Sequence, residues 1–428
     1  MKLLKKVTIL FVAILCFKSY SQETPLDIKY KRSSLYTLIL GDESIEYSEN
    51  IQTSFINTPI PEKFNNHIVN TRIIPKADLV YVVDSIVDSK PKKKGLLSKI
   101  PVKLGNDNKK IQEDDQKAIH KYLDSLGVAK SMLAKWFHRS EKGGFDMSLV
   151  AERGLYNASD LDIKIANQNE RGKALLADAG EQLIKNTFII VNDYKYTNKE
   201  DVAAKAKSIL STVGAYAGKD AALVTAAASE GADVFGKGYI VRTRAYLYKL
   251  VWNEEVAAIF YNDFWTDDDS LDLERKKAFD ETSIFKLEFV GVETGWADIQ
   301  STTLTKKTNE ELIEIATIRA ADNVIAKLQR EYEVFRTKTP LLSGDPLSAK
   351  IGLKEGLKKG SKYEVLEQVI NKEGIIEYKR IGVITVDKDK IWDNTYLADE
   401  ENPSDIKYTT FKGSKNKYYS GMLIRQIN

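Results

Sequence analysis

The chain of 428 residues contains one cysteine, Cys16, and this cysteine lies in a segment that we expect to be removed. A basic start precedes an apolar run over residues 7–17, and small residues follow at the end of the segment. This order is typical of a secretory signal peptide over residues 1–21, with cleavage before Gln22. The apolar run has about 11 residues, whereas a bilayer-spanning helix needs about 20.

Removal of Cys16 would leave a chain without thiols. Disulfides, thiolate nucleophiles and cysteine metal sites are then excluded, so the fold must be stabilised by its apolar core. About 400 residues can bury enough surface for roughly two or three domains. An uncleaved membrane anchor and a lipid attached to Cys16 are alternatives. Leu15 disfavours the lipid, because the residue before a lipidated cysteine is normally small.

The net charge also changes when the signal is removed. The whole chain has 64 Lys+Arg and 61 Asp+Glu, a net charge of +3. The signal contains four lysines and no acidic residue, so 60 basic and 61 acidic residues remain, a net charge of −1. Because no global basic field is present, we expect no nucleic-acid partner. A lysine-rich stretch near 90–110 is typical of a solvated linker, and contact with a membrane surface is the alternative.

Hydrophobic patterns divide the rest of the chain into three regions. In the N-terminal α+β region, 22–150, we predict strands at 35–40 and 79–86 and helices at 45–56 and 112–139. In the central α+β domain, 151–340, we predict helices at 170–185, 200–235 and 309–337 and strands at 187–196, 239–252, 256–265 and 284–292. In the C-terminal region, 341–428, strands at 363–369, 378–386, 408–411 and 422–427 indicate a small β-barrel.

These elements predict an α+β fold. We expect a mostly antiparallel sheet with helices on one face, because the last strands of the central domain have short connections. The small C-terminal β-barrel is expected to follow it as a separate unit.

Motifs for bound ligands are incomplete. Residues 231–237 match most of a phosphate-binding loop, but Gly238 stands where a serine or threonine must hold magnesium, and the helix precedes the strand. Residues 267–272 are rich in aspartate, but Leu273 stands where a calcium loop needs glycine. We therefore interpret 231–237 as a helix end and 267–272 as an acidic turn, and we predict no cofactor and no small-molecule ligand.

Motifs for catalysis are also absent from the sequence. The three histidines, His67, His120 and His138, form no zinc-binding pair, and His120 is expected to be solvated. No serine lies in a nucleophile elbow. We predict no catalytic, cofactor-binding or metal-binding residue. Carboxylate pairs of glycoside hydrolases have no fixed spacing, so such a hydrolase is an alternative.

Three tryptophans are candidate glycan contacts. Trp252, Trp265 and Trp296 could stack on sugars if they were exposed. Because they lie in or beside predicted strands, half-buried sheet packing is the favoured interpretation.

Two parts of the chain resemble known envelope proteins. Gly352, Gly356, Gly360 and Tyr363 belong to a glycine-punctuated run before a strand at 380–384, and this run is similar to the C-terminal barrel of flagellar assembly protein T. The order of elements from the segment at residues 183–191 to the long final helix loosely resembles the periplasmic unit of curli-secretion lipoproteins. That resemblance implies a structural part of an envelope assembly. The whole chain also looks like secreted proteins of the Bacteroidetes, and this likeness implies no activity.

We expect a non-enzymatic exported protein of the cell envelope with a binding or assembly role. The resemblances imply a protein partner in the envelope, and the signal predicts a periplasmic, outer-membrane-associated or extracellular location. A glycan- or peptidoglycan-acting hydrolase and a peripheral membrane-binding protein are the alternatives.

Overall fold

A computed structural model describes residues 30–81, 106–155, 180, 182–198, 238–300, 307–370, 376–401, 403–414 and 416–427. Several predictions lie outside these residues: the signal peptide, most of the lysine-rich stretch, the helix at 200–235 and the loop at 231–237.

The first sheet contains six strands. They are β1 (Ser34–Gly41), β2 (Asn65–Asn66), β3 (Ile73–Pro75), β4 (Thr187–Asn198), β5 (Gly238–Leu250) and β6 (Leu287–Gln300). The order is β2-β1-β4-β5-β6, and β3 also pairs with β1. β4, β5 and β6 form an antiparallel meander, whereas β1 pairs in parallel with β2, β3 and β4. The boundary predicted near residue 150 therefore does not separate two sheets, because β1 and β4 are neighbours.

Besides a helical segment at residues 182–185, seven helices with described bounds accompany this sheet. They are α1 (Ser48–Asn57), α2 (Asn106–Ser125), α3 (Val128–Trp136), α4 (Ser148–Leu155), α5 (Glu254–Ile259), α6 (Leu273–Glu281) and α7 (Asn309–Glu331). A π-helical turn, Phe260–Phe264, continues α5.

The predicted α+β class and the mostly antiparallel sheet are confirmed, but helices lie on both faces of the sheet. Leu35 and Phe188 belong to the face that packs on α7, while Tyr36 and Ile189 pack with Trp136 on the opposite face. Leu35 and its neighbour Tyr36 are both buried, and so are Phe188 and Ile189. Both faces of β1 and β4 are therefore apolar. The prediction of helices on one face is wrong for this reason.

The segment predicted as a strand at 256–265 is helical. The Asn253 side chain accepts a hydrogen bond from the Val256 backbone N–H at 2.9 Å, and Glu254 and Glu255 occupy the first turn. An N-cap followed by acidic residues favours helix initiation, and this local signal outweighs the aromatic content of the segment. Leu79–Tyr81, the described part of the predicted strand 79–86, also lies outside any strand.

Helix α7 is the longest described helix, and its ends are well defined. Thr308 and Glu311 form a capping box, in which each side chain binds the other residue's backbone N–H. The apolar residues of α7 pack against β5 and β6 and against α1. This helix also forms one wall of the cleft described below.

The C-terminal sheet has seven strands. They are β7 (Thr339–Pro340), β8 (Ser343–Gly344), β9 (Leu347–Ala349), β10 (Lys362–Ile370), β11 (Ile376–Val386), β12 (Thr409–Lys412) and β13 (Leu423–Ile427), and the short helix α8 (Ala398–Glu401) precedes β12. The order β7-β13-β10-β11-β12-β9-β8 is antiparallel throughout. The four strands predicted here are confirmed, and the sheet is a curled half-barrel rather than a closed barrel.

Candidate functional site

A cleft of about 750 Å³ lies between α7 and the C-terminal half-barrel. Its walls come from segments far apart in the chain: the loop around Lys63, helix α7, the turn at Leu353–Glu355, and the loop from Trp392 into α8. The last loop is held on α7, because Arg319 Nη2 donates to the Tyr396 carbonyl at 2.7 Å and the Tyr396 hydroxyl donates to Glu314 at 2.8 Å. The cleft has the size of a small-ligand site.

Asp322 lies on the α7 side of this cleft. It is 9% exposed, and Lys354 Nζ is 3.7 Å from its Oδ1. That distance allows an ion pair but exceeds a hydrogen bond. Burial raises the pKa of the Asp322 carboxyl to about 6, with Lys354 lowering this pKa and Glu355 raising it further. A buried carboxyl with a loose cationic partner is a group that can change its protonation near neutral pH.

Glu355 supplies a second carboxylate whose position is fixed by hydrogen bonds. Its Oε2 accepts from the Gly352 backbone N–H at 2.7 Å and from Asn394 Nδ2 at 2.9 Å. A Cβ on Gly352 would lie 2.2 Å from the Trp392 carbonyl oxygen, so only glycine fits there. This part of the glycine-punctuated run therefore shapes a cleft wall.

The charges around the cleft are mixed, with an acidic excess. Burial lowers the pKa of the Lys63 ammonium, while Glu355 raises it and Lys354 lowers it. Lys407 pairs with Asp399 at 2.8 Å. The lining contains six carboxylates and four lysines: Glu62, Asp322, Glu355, Asp393, Asp399 and Glu400, with Lys63, Lys350, Lys354 and Lys407. A net charge of −2 favours a cationic group over an anionic one.

His138 and Ser148 line a smaller pocket of about 440 Å³, and Asp146 contacts His138. The Asp146 carboxylate is 2.9 Å and the Ser148 hydroxyl is 3.1 Å from the same atom, Nδ1 of His138. A catalytic triad needs the acid and the nucleophile on opposite ring nitrogens. This cluster therefore lacks the geometry of a proton relay, and no motif in the sequence indicates it.

The other two histidines have structural contacts. Arg153 Nη1 lies 3.0 Å from Nδ1 of His67, and the Met132 carbonyl lies 2.9 Å from Nε2. Because Arg153 can only donate, Nδ1 accepts and Nε2 carries the proton. Burial lowers the pKa of His67, and the charge of Arg153 lowers it further. His120 is half-buried against Tyr248, with ring centroids 5.6 Å apart, so the prediction that it is solvated is wrong.

The acidic turn at 267–272 is confirmed as a turn. Asp267 accepts from the Ser270 backbone N–H at 2.8 Å, and Asp272 caps α6 by accepting from the Glu274 N–H at 2.9 Å. Asp268 accepts from the Gly144 backbone N–H at 3.0 Å. Among the described residues, no group of three histidine, cysteine or acidic side chains is placed to hold a metal ion.

The three tryptophans differ in exposure. Trp252 is 4% exposed within an aromatic cluster, and Trp265 is partly buried against the same cluster. Trp296 on β6 is 59% exposed, so half-buried packing is the wrong interpretation for this residue. It lies outside the lining of the cleft.

No known protein family matches the chain, and no curated protein is significantly similar to it. None of the described helices has the length and apolar character that crossing a membrane requires. The structure is that of an α+β protein with a mixed-charge cleft beside an antiparallel half-barrel.

Proposed function

We propose that this protein is a non-enzymatic exported protein of the cell envelope that binds a protein partner through the cleft. The signal-like pattern of residues 1–21 supports the export part of this proposal. The binding role is supported by the cleft itself, which combines the buried carboxylate of Asp322 and five carboxylates that are more exposed with the aromatic side chains of Phe64 and Trp392. Carboxylates and aromatic rings together suit an organic ammonium group.

The observation that carries the proposal is the incomplete pairing of Asp322. The Asp322 carboxylate, buried on α7, has one ion pair among the described residues, at 3.7 Å, and this leaves room for a shorter hydrogen bond from a ligand. The partner would contribute a lysine-like side chain, which displaces Lys354 from Asp322. The acidic excess of the lining favours that exchange.

Calorimetric titration tests this contact with two peptides, acetyl-Gly-Lys-Gly-amide and the same peptide with norleucine. We expect the lysine peptide to bind more tightly than its norleucine counterpart. D322N should weaken lysine-peptide binding by about tenfold or more, because the ammonium loses its anionic acceptor. K354M should strengthen binding, because it removes the competing ammonium. D269N changes an exposed acidic residue outside the cleft and is the matched control.

Two results would overturn the cleft as the binding site: equal affinity of the D322N and wild-type proteins, or weaker lysine-peptide binding to K354M. The envelope partner is tested separately by affinity capture from native envelopes. We expect a stoichiometric partner with wild type and D269N and loss of that partner with D322N. Recovery of the bait alone would count against the assembly role.

A hydrolase acting on glycan or peptidoglycan is the second candidate, and the raised pKa of Asp322 favours it. A carboxyl with a pKa of about 6 can act as a general acid, and Glu355 would be the second carboxylate. We would incubate the protein with peptidoglycan and with oligosaccharides and measure new reducing ends. Release that is lost in both D322N and E355Q would support hydrolysis, and no release from any substrate would exclude it for those substrates.

A further inference from the structure

Among the described strands, β6 lies at an edge of the six-stranded sheet. Within the described residues, its pairing partner is β5, on one side. An exposed edge presents unpaired N–H and C=O groups that can bind another strand. The Val292 N–H and the carbonyls of Val292, Thr294 and Trp296 are directed away from β5.

Three side chains at the C-terminal end of the α7 region bind these outward groups. Tyr332 accepts from the Val292 N–H at 3.1 Å, and its hydroxyl is 3.3 Å from the Val292 carbonyl. Lys327 Nζ donates to the Thr294 carbonyl at 3.2 Å. Asn323 Nδ2 donates to the Trp296 carbonyl at 2.9 Å. Alternate residues along the strand are thus bound by successive turns of the helix.

Two glycines of β6 allow α7 to lie this close. A Cβ on Gly295 would be 2.9 Å from Val324 Cβ and 3.0 Å from the Val324 backbone nitrogen. A Cβ on Gly291 would be 2.1 Å from the Tyr332 ring. Lys327 is also held in place by Glu293 at 2.9 Å. The close approach lets the side chains reach around to the backbone of the edge strand.

We propose that Asn323, Lys327 and Tyr332 form an edge cap that prevents β6 from pairing with β6 of a second copy of this chain. Side-chain hydrogen bonds occupy the acceptors that a new strand would need. Trp296, 59% exposed on the same strand, would add aromatic contact area to a twofold pairing of uncapped edges. Pairing of two β6 edges would not involve the cleft.

Light scattering coupled to size-exclusion chromatography tests the edge cap. The triple variant N323A/K327M/Y332F removes the capping groups but keeps the Tyr332 ring against Gly291. We expect a concentration-dependent particle of twice the wild-type mass. E310A/E331A changes two exposed residues of the same helix and should keep the wild-type mass.

Adding W296E to the triple variant should restore the wild-type mass, because two like charges would meet across the twofold edge. If the triple variant does not fold, Y332F alone provides the test, with a smaller doubled fraction expected. An unchanged mass of folded variants at about 100 µM, where even weak pairing would be populated, overturns the edge cap. A doubled mass that persists with W296E would also overturn it, since association would then not use this edge.

Discussion

Replacement of Asp322 by asparagine is expected to stabilise the protein at neutral pH. The pKa of this carboxyl is raised from 3.8 to about 6 by burial. One pKa unit corresponds to about 1.4 kcal/mol, so the shift corresponds to about 3 kcal/mol of unfolding free energy. Asparagine has a similar shape and no charge, so the folded D322N protein does not lose this free energy when the pH rises.

The folded and unfolded states bind the proton of Asp322 over different pH ranges, so wild-type stability depends on pH. Below pH 3.8, Asp322 is protonated in both the folded and unfolded chains and costs nothing. Between pH 3.8 and about 6 the unfolded chain ionises while the folded protein keeps its proton, so wild-type stability falls as the pH rises. Above about pH 6 both states are ionised, and the loss is complete.

Guanidinium unfolding of wild type and D322N measures this difference. We expect D322N to exceed wild type by about 1 kcal/mol at pH 4.5 and by about 3 kcal/mol at pH 7.5. The exposed D269N variant should show no such pH-dependent gain. A D322N protein no more stable than wild type at pH 7.5, or an advantage that does not shrink in acid, would refute the reasoning.

The remaining predictions concern packing and helix capping, and each is checked by chemical denaturation. Trp136→Phe removes a buried hydrogen bond from Nε1 to Thr187 Oγ1, 2.9 Å long, and should cost about 2 kcal/mol; a cost below about 0.5 kcal/mol would contradict the importance of this bond. Gly295→Ala places a methyl group 2.9 Å from Val324 Cβ and should cost about 1–3 kcal/mol, and an unchanged midpoint would show that α7 moves freely. Thr308→Ala removes the cap of α7 and should cost about 1 kcal/mol, whereas Thr308→Ser keeps the hydroxyl and should match wild type.

A carboxyl that destabilises the folded state is informative about function. Buried ionisable groups with shifted pKa values are concentrated at functional sites, because binding and proton transfer use them. Asp322 lies in the cleft between α7 and the half-barrel, beside a loosely paired lysine. An asparagine variant that is more stable but binds less well would show that stability has been exchanged for binding.

Local patterns in the sequence predicted most of the regular structure. The strands predicted at 35–40 and 239–252 are confirmed as β1 and β5. The helix predicted at 309–337 is confirmed as α7. The prediction at 256–265 was wrong although Asn253 and the two glutamates after it are a helix-start signal. The helix cap at Asn253 is therefore a stronger local signal in this segment than its aromatic residues.

The candidate site could not be predicted in the same way. Lys63, Asp322 and Glu355 are separated by long stretches of chain, and no spacing connects them. Asp322 occurs on an amphipathic helix, where a single aspartate normally faces solvent. Its burial arises because the half-barrel and the loop at 392–397 cover that part of α7.

The sequence by itself determined the longer strands β1, β4, β5, β10 and β11, the helix α7, the glycine turns of the half-barrel and the absence of thiols after residue 16. These features depend on neighbours within a few residues or on composition, so they can be read along the chain. Only the tertiary structure decided that helices cover both faces of the sheet, that α7 caps the β6 edge and that Asp322 is buried. Burial, edge contacts and pKa shifts depend on groups brought together by packing over long sequence distances, and such groups leave no local pattern.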